Sequence, residues 1–272
     1  MKNPIHRYNS RKPDQLREVN ARFNLFGYAS GSVLFEMGNT KVLCSVNLQS
    51  GVPPFLKGKK TGWLTAEYAM LPSSTLTRTH RESSSVRRNG RSIEISRLIG
   101  RSLRTIVDLS VLGERTIMVD CDVLQADGGT RTACITGASL ALQMAEQKWL
   151  AKNAITQSIV KDSIAAISVG IMAGEPLLDL DFSEDSKADA DFNFVVTKSN
   201  TLVEIQGASE GATIGWDQFE KARRFALHGI KKLFEIGDNY FNSAIAKKNN
   251  KDKLDGRQAP FFSLKSRQDM SV

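Results

Sequence analysis

Between residues 115 and 150 the sequence has a strand pattern, then a pair of glycines, then a helix pattern. Of all the features of the sequence, this succession constrains the fold most. Residues 115–124 alternate apolar and polar side chains, as a half-buried strand does. Gly128 and Gly129 then indicate a loop, because adjacent glycines permit a tight turn but destabilise regular elements. Residues 132–150 are rich in Ala and Leu and predict a helix. Strand, glycine loop and helix in this order are a common layout of phosphate sites.

Thr130 and Arg131 lie where the predicted helix begins. Backbone N–H groups in the first helical turn lack intrahelical partners and attract anions. Arg131 adds a permanent charge and a donor fork that matches phosphate oxygens. Gly129, Thr130 and Arg131 therefore predict an anion site, although a glycine turn with a threonine cap and a surface arginine would give the same pattern.

Two charged segments stand out within a formal net charge of +8. Residues 78–104 contain eight arginines and two glutamates, and residues 175–191 contain seven acidic residues and one lysine. A basic segment suits a polyanion, and clustered carboxylates suit a divalent cation. Solvated surface faces are the alternative interpretation of both segments.

The remaining patterns predict an α/β protein of the α+β type. We expect a hairpin over residues 31–48, a strand at 61–71, a long exposed loop at 73–90 and a helix at 92–110. Further along, strands are predicted at 164–172, 176–182 and 202–206, and an amphipathic helix at 216–236. Residues 1–240 are expected to form one domain, and the polar, basic residues 241–272 a mobile tail.

Composition excludes several classes of protein. No run of apolar residues is long enough to cross a bilayer, and the first residues lack the apolar stretch of a signal peptide. We therefore expect a cytoplasmic protein with no membrane partner. The three cysteines form no CxxC pair, and a count of only three histidines argues against a His-rich metal site. Any metal would be held by oxygen ligands.

Seven segments, in this order and at this spacing, match a known family. They are GSVLFEMGNTKVLCSV, FLKGKKTGWLTAEYAMLP, RRNGRSIEISRLIGRSLR, VDCDVLQADGGTRTACITG, ISVGI, LDLDFSEDSKADADFNFV and VEIQGASEG. On these segments the chain resembles the ribonuclease PH family of bacterial phosphorolytic 3′-to-5′ exoribonucleases across about residues 11–236.

The resemblance implies mixed sheets and packed helices like the second domain of ribosomal protein S5, and a ring-shaped homohexamer built as a trimer of dimers. It implies removal of nucleotides from the 3′ ends of tRNA precursors, with inorganic phosphate as the attacking group and nucleoside diphosphates as products. The reaction would be reversible.

The family's functional residues carry over onto this chain. The resemblance assigns phosphate binding to Arg91, Gly129, Thr130 and Arg131. It assigns catalysis to Arg131, Asp185 and Asp191, and the binding of an Mg²⁺ or Mn²⁺ ion to Asp185 and Asp191. Their six-residue separation requires a turn between them. Glu184 and Asp189 are interpreted as solvated neighbours, and Asp127 either positions the loop or binds metal.

Two departures from the family bear on RNA. Ser73 follows Leu71 and Pro72 where the family usually has arginine, which removes one basic contact, but Arg78 and Arg81 remain as expected RNA ligands. Leu16-Arg17-Glu18-Val19 replaces the usual Leu-Arg-Pro-Val. A non-catalytic RNA-binding ring subunit of the same fold is the alternative function, and the retained Arg131, Asp185 and Asp191 argue against it.

Overall fold

The computed structural model describes Arg7, residues 10–81 and residues 89–257, with side chains as far as residue 247. Five strands form a first sheet in the spatial order β1-β2-β3-β5-β4. Neighbours in this sheet are antiparallel except β4 and β5, which run parallel. The strands are β1 (Val19–Phe23), β2 (Gly31–Met37), β3 (Thr40–Ser50), β4 (Trp63–Met70) and β5 (Arg115–Gln125).

Four antiparallel strands form a second sheet in the order β7-β6-β8-β9. They are β6 (Ile164–Met172), β7 (Glu175–Leu178), β8 (Ala190–Thr197) and β9 (Leu202–Ser209). The helices are α1 (Gly90–Arg104), α2 (Leu109–Leu112), α3 (Thr130–Ala151), α4 (Phe182–Asp185) and α5 (Trp216–Arg257). The α+β class predicted from the sequence is thereby confirmed.

Helix α3 lies at the centre of the molecule and contacts both sheets. Sixteen of its 22 residues are buried, and five of the other six lie at or after Gln143, in the last turns of the helix. Small side chains let it approach the first sheet closely: a Cβ added at Gly137 would lie 2.9 Å from the Cys44 sulfur. This packing holds the N-terminus of α3 at a fixed place between the two sheets.

The predicted hairpin is confirmed as β2 and β3, which pair directly from Met37 and Thr40 outwards. The strand predicted at 61–71 is β4, the one predicted at 115–124 is β5, and helix α3 begins at Thr130 as expected. Residues 73–81 contain no helix or strand, as predicted for a loop, whereas residues 82–88 lie outside the described residues.

The helix predicted at 92–110 was too long, since α1 ends at Arg104. The β-branched residues Thr105, Ile106 and Val107 follow it, and such side chains disfavour a helix. Their backbone turns instead to a neighbouring segment: Val107 forms a β-bridge with Val160, and the Asp108 N–H donates to the Ile159 carbonyl at 2.7 Å.

The strand predicted at 176–182 was also too long, because β7 ends at Leu178. Asp179 has a positive φ of 56°, which breaks the strand. Asp181 then begins α4 as its N-cap, with its carboxylate accepting from the Ser183 and Glu184 N–H groups.

The final helix was predicted too short: α5 continues past residue 236 to Arg257. Its extension packs against the first sheet, where the rings of Phe241 and Phe23 meet edge to face at 5.8 Å. The predicted mobile tail begins within this helix, and residues 258–272 lie outside the described residues. Among the helices described, none is long and apolar enough to cross a membrane.

Candidate active site

One polar cavity collects all six residues for which phosphate, catalytic or metal roles were predicted. It has a volume of about 660 Å³ and opens between the N-termini of α1 and α3 on one side and α4, β8 and β9 on the other. The six residues are Arg91, Gly129, Thr130, Arg131, Asp185 and Asp191. The predicted RNA ligands Arg78 and Arg81 do not line it, and both are exposed.

The glycine loop brings backbone close to the cavity. Gly128 and Gly129 have positive φ angles of 76° and 64°, a conformation that only glycine adopts without strain. A Cβ on Gly128 would lie 2.5 Å from the Leu180 carbonyl oxygen, so the loop also packs directly on the chain before α4. Gly129 is the N-cap of α3, and no side chain of the described residues caps this end. The N–H groups of the first turn are therefore available to an anion.

Arg17 orients the glycine loop without itself lining the cavity. Its guanidinium donates to the carbonyl oxygens of Asp127 and, at 3.4 Å, Gly128. In a planar trans peptide the carbonyl and the next N–H point in opposite directions. Because both carbonyls face Arg17, the N–H groups of Gly128 and Gly129 face away from it. Thr40 assists, since its hydroxyl donates to the Gly128 carbonyl at 2.7 Å.

The charge of Arg17 is matched by Asp179, whose carboxylate accepts from the Arg17 guanidinium at 2.6 Å and from its backbone N–H at 2.7 Å. Both side chains are almost completely buried. Sequence reasoning missed this role: Arg17 stands in a segment noted only for its departure from the family pattern, and no spacing connects residue 17 with residue 179.

A residue of the first sheet holds the side chain of Thr130 in place. Its hydroxyl lies 3.0 Å from the Tyr68 hydroxyl, inside the fold. Burial raises the pKa of Tyr68 to about 12, so this hydroxyl is protonated at neutral pH. The contact ties the first residue of α3 to β4.

The two predicted phosphate-binding arginines approach from different helices. Arg131, the second residue of α3, donates to the Gln206 side chain at 3.1 Å and lies 3.9 Å from the Glu94 carboxylate. Arg91, the second residue of α1, is exposed, and its backbone N–H is capped by Asn89 at 3.0 Å. Both arginines thus present guanidinium groups to one cavity.

Asp185 and Asp191 face these cations. Partial burial raises the pKa of both, and for Asp185 the charge of Asp191 raises the pKa further, while Arg131 and Arg91 oppose the rise. The two carboxylates therefore repel each other, and a bound cation would relieve that repulsion. Asn193 helps to hold Asp191, donating to its carboxylate at 3.4 Å.

The turn that the six-residue separation required is present. Asp185 ends α4, and the chain reverses through hydrogen bonds from the Lys187 N–H to the Glu184 carbonyl at 3.1 Å and from the Ala188 N–H to the Asp185 carbonyl at 3.3 Å. Asp191 then lies on β8, opposite Gly170 of β6 and Ala208 of β9.

Of the two neighbouring acids that were predicted to be solvated, Glu184 is not, whereas Asp189 is partly exposed. Glu184 is buried, and its carboxylate accepts from Arg7 at 2.8 Å and from Arg11 at 3.1 Å. The Asp189 carboxylate accepts from the Ala173 N–H at 3.0 Å and so stabilises the β6–β7 turn. Charge patterning could not reveal these roles, because the partners are distant in sequence.

Asp127 positions the loop, the first of the two roles left open for it. Its carboxylate accepts from the Asn39 amide at 3.1 Å and from the Phe182 N–H at 3.3 Å. The glycine loop and α4 are thereby joined directly.

Comparison with known proteins assigns the family. The family model described as "3′ exoribonuclease family, domain 1" matches residues 15–147, and the model described as "3′ exoribonuclease family, domain 2" matches residues 162–229. The chain belongs to the 3′ exoribonuclease family.

Curated relatives carry a more specific name. Proteins named ribonuclease PH from Neisseria meningitidis (strain FAM18) and Neisseria gonorrhoeae (strain NCCP11945) are each 48% identical over 235 residues, which cover 86% of this chain and 97% of the relative.

Solved structures share the fold at lower identity. Rice Rrp46 matches with a TM-score of 0.70 at 18% identity, covering 86% of this chain and all of that one. A chain of the Archaeoglobus fulgidus exosome with RNA bound to the active site matches with a TM-score of 0.70 at 22% identity, covering 85% of this chain and 92% of that one.

Proposed function

We propose that this chain is a phosphate-dependent 3′-to-5′ exoribonuclease that trims the 3′ ends of tRNA precursors and releases nucleoside 5′-diphosphates. Membership of the 3′ exoribonuclease family and 48% identity with curated ribonuclease PH proteins support this function. The observation that carries the phosphorolytic chemistry is the cavity in which two guanidinium groups and a helix N-terminus face two carboxylates.

The reaction brings two anions together, so its first requirement is cationic charge around the attacking phosphate. Arg131, Arg91 and the first N–H groups of α3 would hold orthophosphate. One of its oxygens attacks the phosphorus of the terminal phosphodiester, the bond to the 3′ oxygen of the preceding nucleotide breaks, and the terminal nucleotide leaves as a diphosphate. The reaction is reversible, because the phosphoanhydride bond of the diphosphate product keeps the energy of the phosphodiester bond that breaks. The reverse reaction uses the same residues.

Asp185 and Asp191 fit a divalent cation, Mg²⁺ or Mn²⁺. Both are oxygen donors, and their mutual repulsion favours a cation between them. In the part of the chain that the structure describes, no three His, Cys, Asp or Glu residues cluster as a metal site. Two carboxylates suit Mg²⁺, which usually keeps several waters and binds one or two protein carboxylates. When bound, the ion would neutralise charge on the transferring phosphoryl group.

The proposal also covers the residues that bind RNA and the oligomeric assembly of the protein. Arg78 and Arg81, exposed on the loop after β4, would contact the RNA backbone. A cytoplasmic homohexamer, a trimer of dimers, is the proposed assembly. Likeness to chains of archaeal exosome cores supports ring formation at the level of the fold.

The test is RNA degradation with and without phosphate. The protein should release nucleoside diphosphates from a tRNA precursor in phosphate buffer and no mononucleotides in phosphate-free buffer. Undiminished release of monophosphates without phosphate would indicate hydrolysis instead. Absence of nucleotide release in both buffers, with RNA still bound, would indicate the non-catalytic ring subunit.

A further inference from the structure

A second groove lies at the far end of α3, and the proposed phosphorolysis does not use it. Its volume is about 730 Å³, and its walls are the edge strand β1, the end of α3 and the part of α5 beyond residue 239. Helix α3 has 22 residues, so its two ends, where the two cavities lie, are about 30 Å apart. The α5 wall lies outside the residues matched by the family models.

The surface of this groove is mostly apolar. Phe23, Phe26, Met144 and Tyr240 line it, and Phe26 remains 42% exposed. Contact between Phe23 and Phe241 fixes the α5 wall against β1. Aromatic rings that stay accessible in a fixed groove can stack on nucleic acid bases of any sequence.

The charge of the groove is entirely positive. Its lining includes four cations, Arg22, Lys148, Lys152 and Lys247, and among the described residues no Asp or Glu lines it. Lys148 donates to the Ala29 carbonyl at 2.7 Å and so holds the β1–β2 turn. Arg22, Lys152 and Lys247 are exposed.

We propose that this groove binds a single-stranded segment of the RNA substrate upstream of its 3′ end. Bases would stack on the aromatic side chains while the cations contact phosphates, the combination used by proteins that bind single strands without sequence preference. The inference rests on the proposed function and extends it, because one RNA would occupy both cavities. A second copy of the chain is the alternative occupant, but the described lining of the groove has cations and no carboxylate, which favours a polyanion.

The distance between the two cavities predicts how the binding of RNA should depend on its length. Stacked nucleotides rise about 3.4 Å each, so an RNA of about four nucleotides covers about 14 Å and cannot reach both cavities. An RNA of about 20 nucleotides can. The groove should therefore strengthen the binding of long RNA only.

The test compares two double charge reversals with equal changes in net charge. Lys152→Glu with Lys247→Glu alters the groove, and Arg224→Glu with Lys231→Glu alters exposed positions of α5 outside it. Fluorescence anisotropy in phosphate-free buffer gives the Kd for labelled RNA, and thermal unfolding checks the fold. The groove variant should raise the Kd for the long RNA at least fivefold and leave the Kd for the short RNA within twofold. The control should change neither.

Two results would overturn the inference. The first is a long-RNA Kd within twofold of the parent value in the groove variant. The second is a change in oligomeric state of that variant by gel filtration, which would assign the groove to a second copy. Failure of the proposed function is seen separately, as absence of phosphate-dependent degradation of the short RNA by the parent protein.

Discussion

At the scale of single residues, the proposed phosphate site depends on side chains that do not themselves line the cavity. Arg17 shows this most clearly, because it donates to loop carbonyls and thereby turns their N–H partners away from itself. Lysine could keep the charge opposite Asp179 but could not reproduce the planar donor fork that contacts Asp179 and the loop together. Arg7 is a matched comparison: it is also buried and paired with a carboxylate, Glu184, without contacting the glycine loop.

We therefore expect Arg17→Lys to raise the KM for phosphate about tenfold, equivalent to about 1.4 kcal/mol, with a smaller change in kcat at saturating phosphate. Steady-state rates at varied phosphate measure this. Arg7→Lys should lower thermal stability but leave the phosphate KM within twofold. Equal phosphate KM values for a folded Arg17→Lys protein and the parent would contradict the positioning role.

At the scale of elements, the site is formed where the glycine loop packs on the chain entering α4. Gly128 makes this contact, since a side chain there would meet the Leu180 carbonyl. Gly113 is a matched position, with a similar positive φ of 67° but open space around it. A side chain would strain the backbone at either position, and only at Gly128 would it also clash with neighbouring atoms.

Gly113→Ala should cost about 1–3 kcal/mol of unfolding free energy, from the positive φ alone, and leave phosphate binding unchanged. Gly128→Ala should cost more and weaken phosphate binding, because the loop must shift away from Leu180. Chemical denaturation and phosphate titration measure the two effects. Equal losses of stability, with phosphate affinity retained in each variant, would contradict this account.

At the scale of the whole molecule, local patterns in the sequence predicted the α+β class and most elements, including the strand, glycine loop and helix around Gly129. They failed where distant segments decide the structure. Residues 106–108 follow the end of α1 and pair with residues 159–161, and α5 continues because its extension packs on β1. The six predicted phosphate, catalytic and metal residues share one cavity, whereas Arg17, Tyr68 and Asn193 support it through contacts that spacing does not encode.

Calorimetric titration of orthophosphate tests the central claim most directly, without RNA or turnover. Arg131→Ala removes a guanidinium from the cavity, and Arg223→Ala removes one that is exposed on α5 and paired with Glu220. A charged hydrogen bond contributes about 1.5–3 kcal/mol, so Arg131→Ala should weaken phosphate binding at least tenfold, while Arg223→Ala binds as the parent does. Gel filtration should give the same assembly for all three proteins. Phosphate affinity equal to the parent's in Arg131→Ala would contradict the claim that this cavity binds the attacking phosphate.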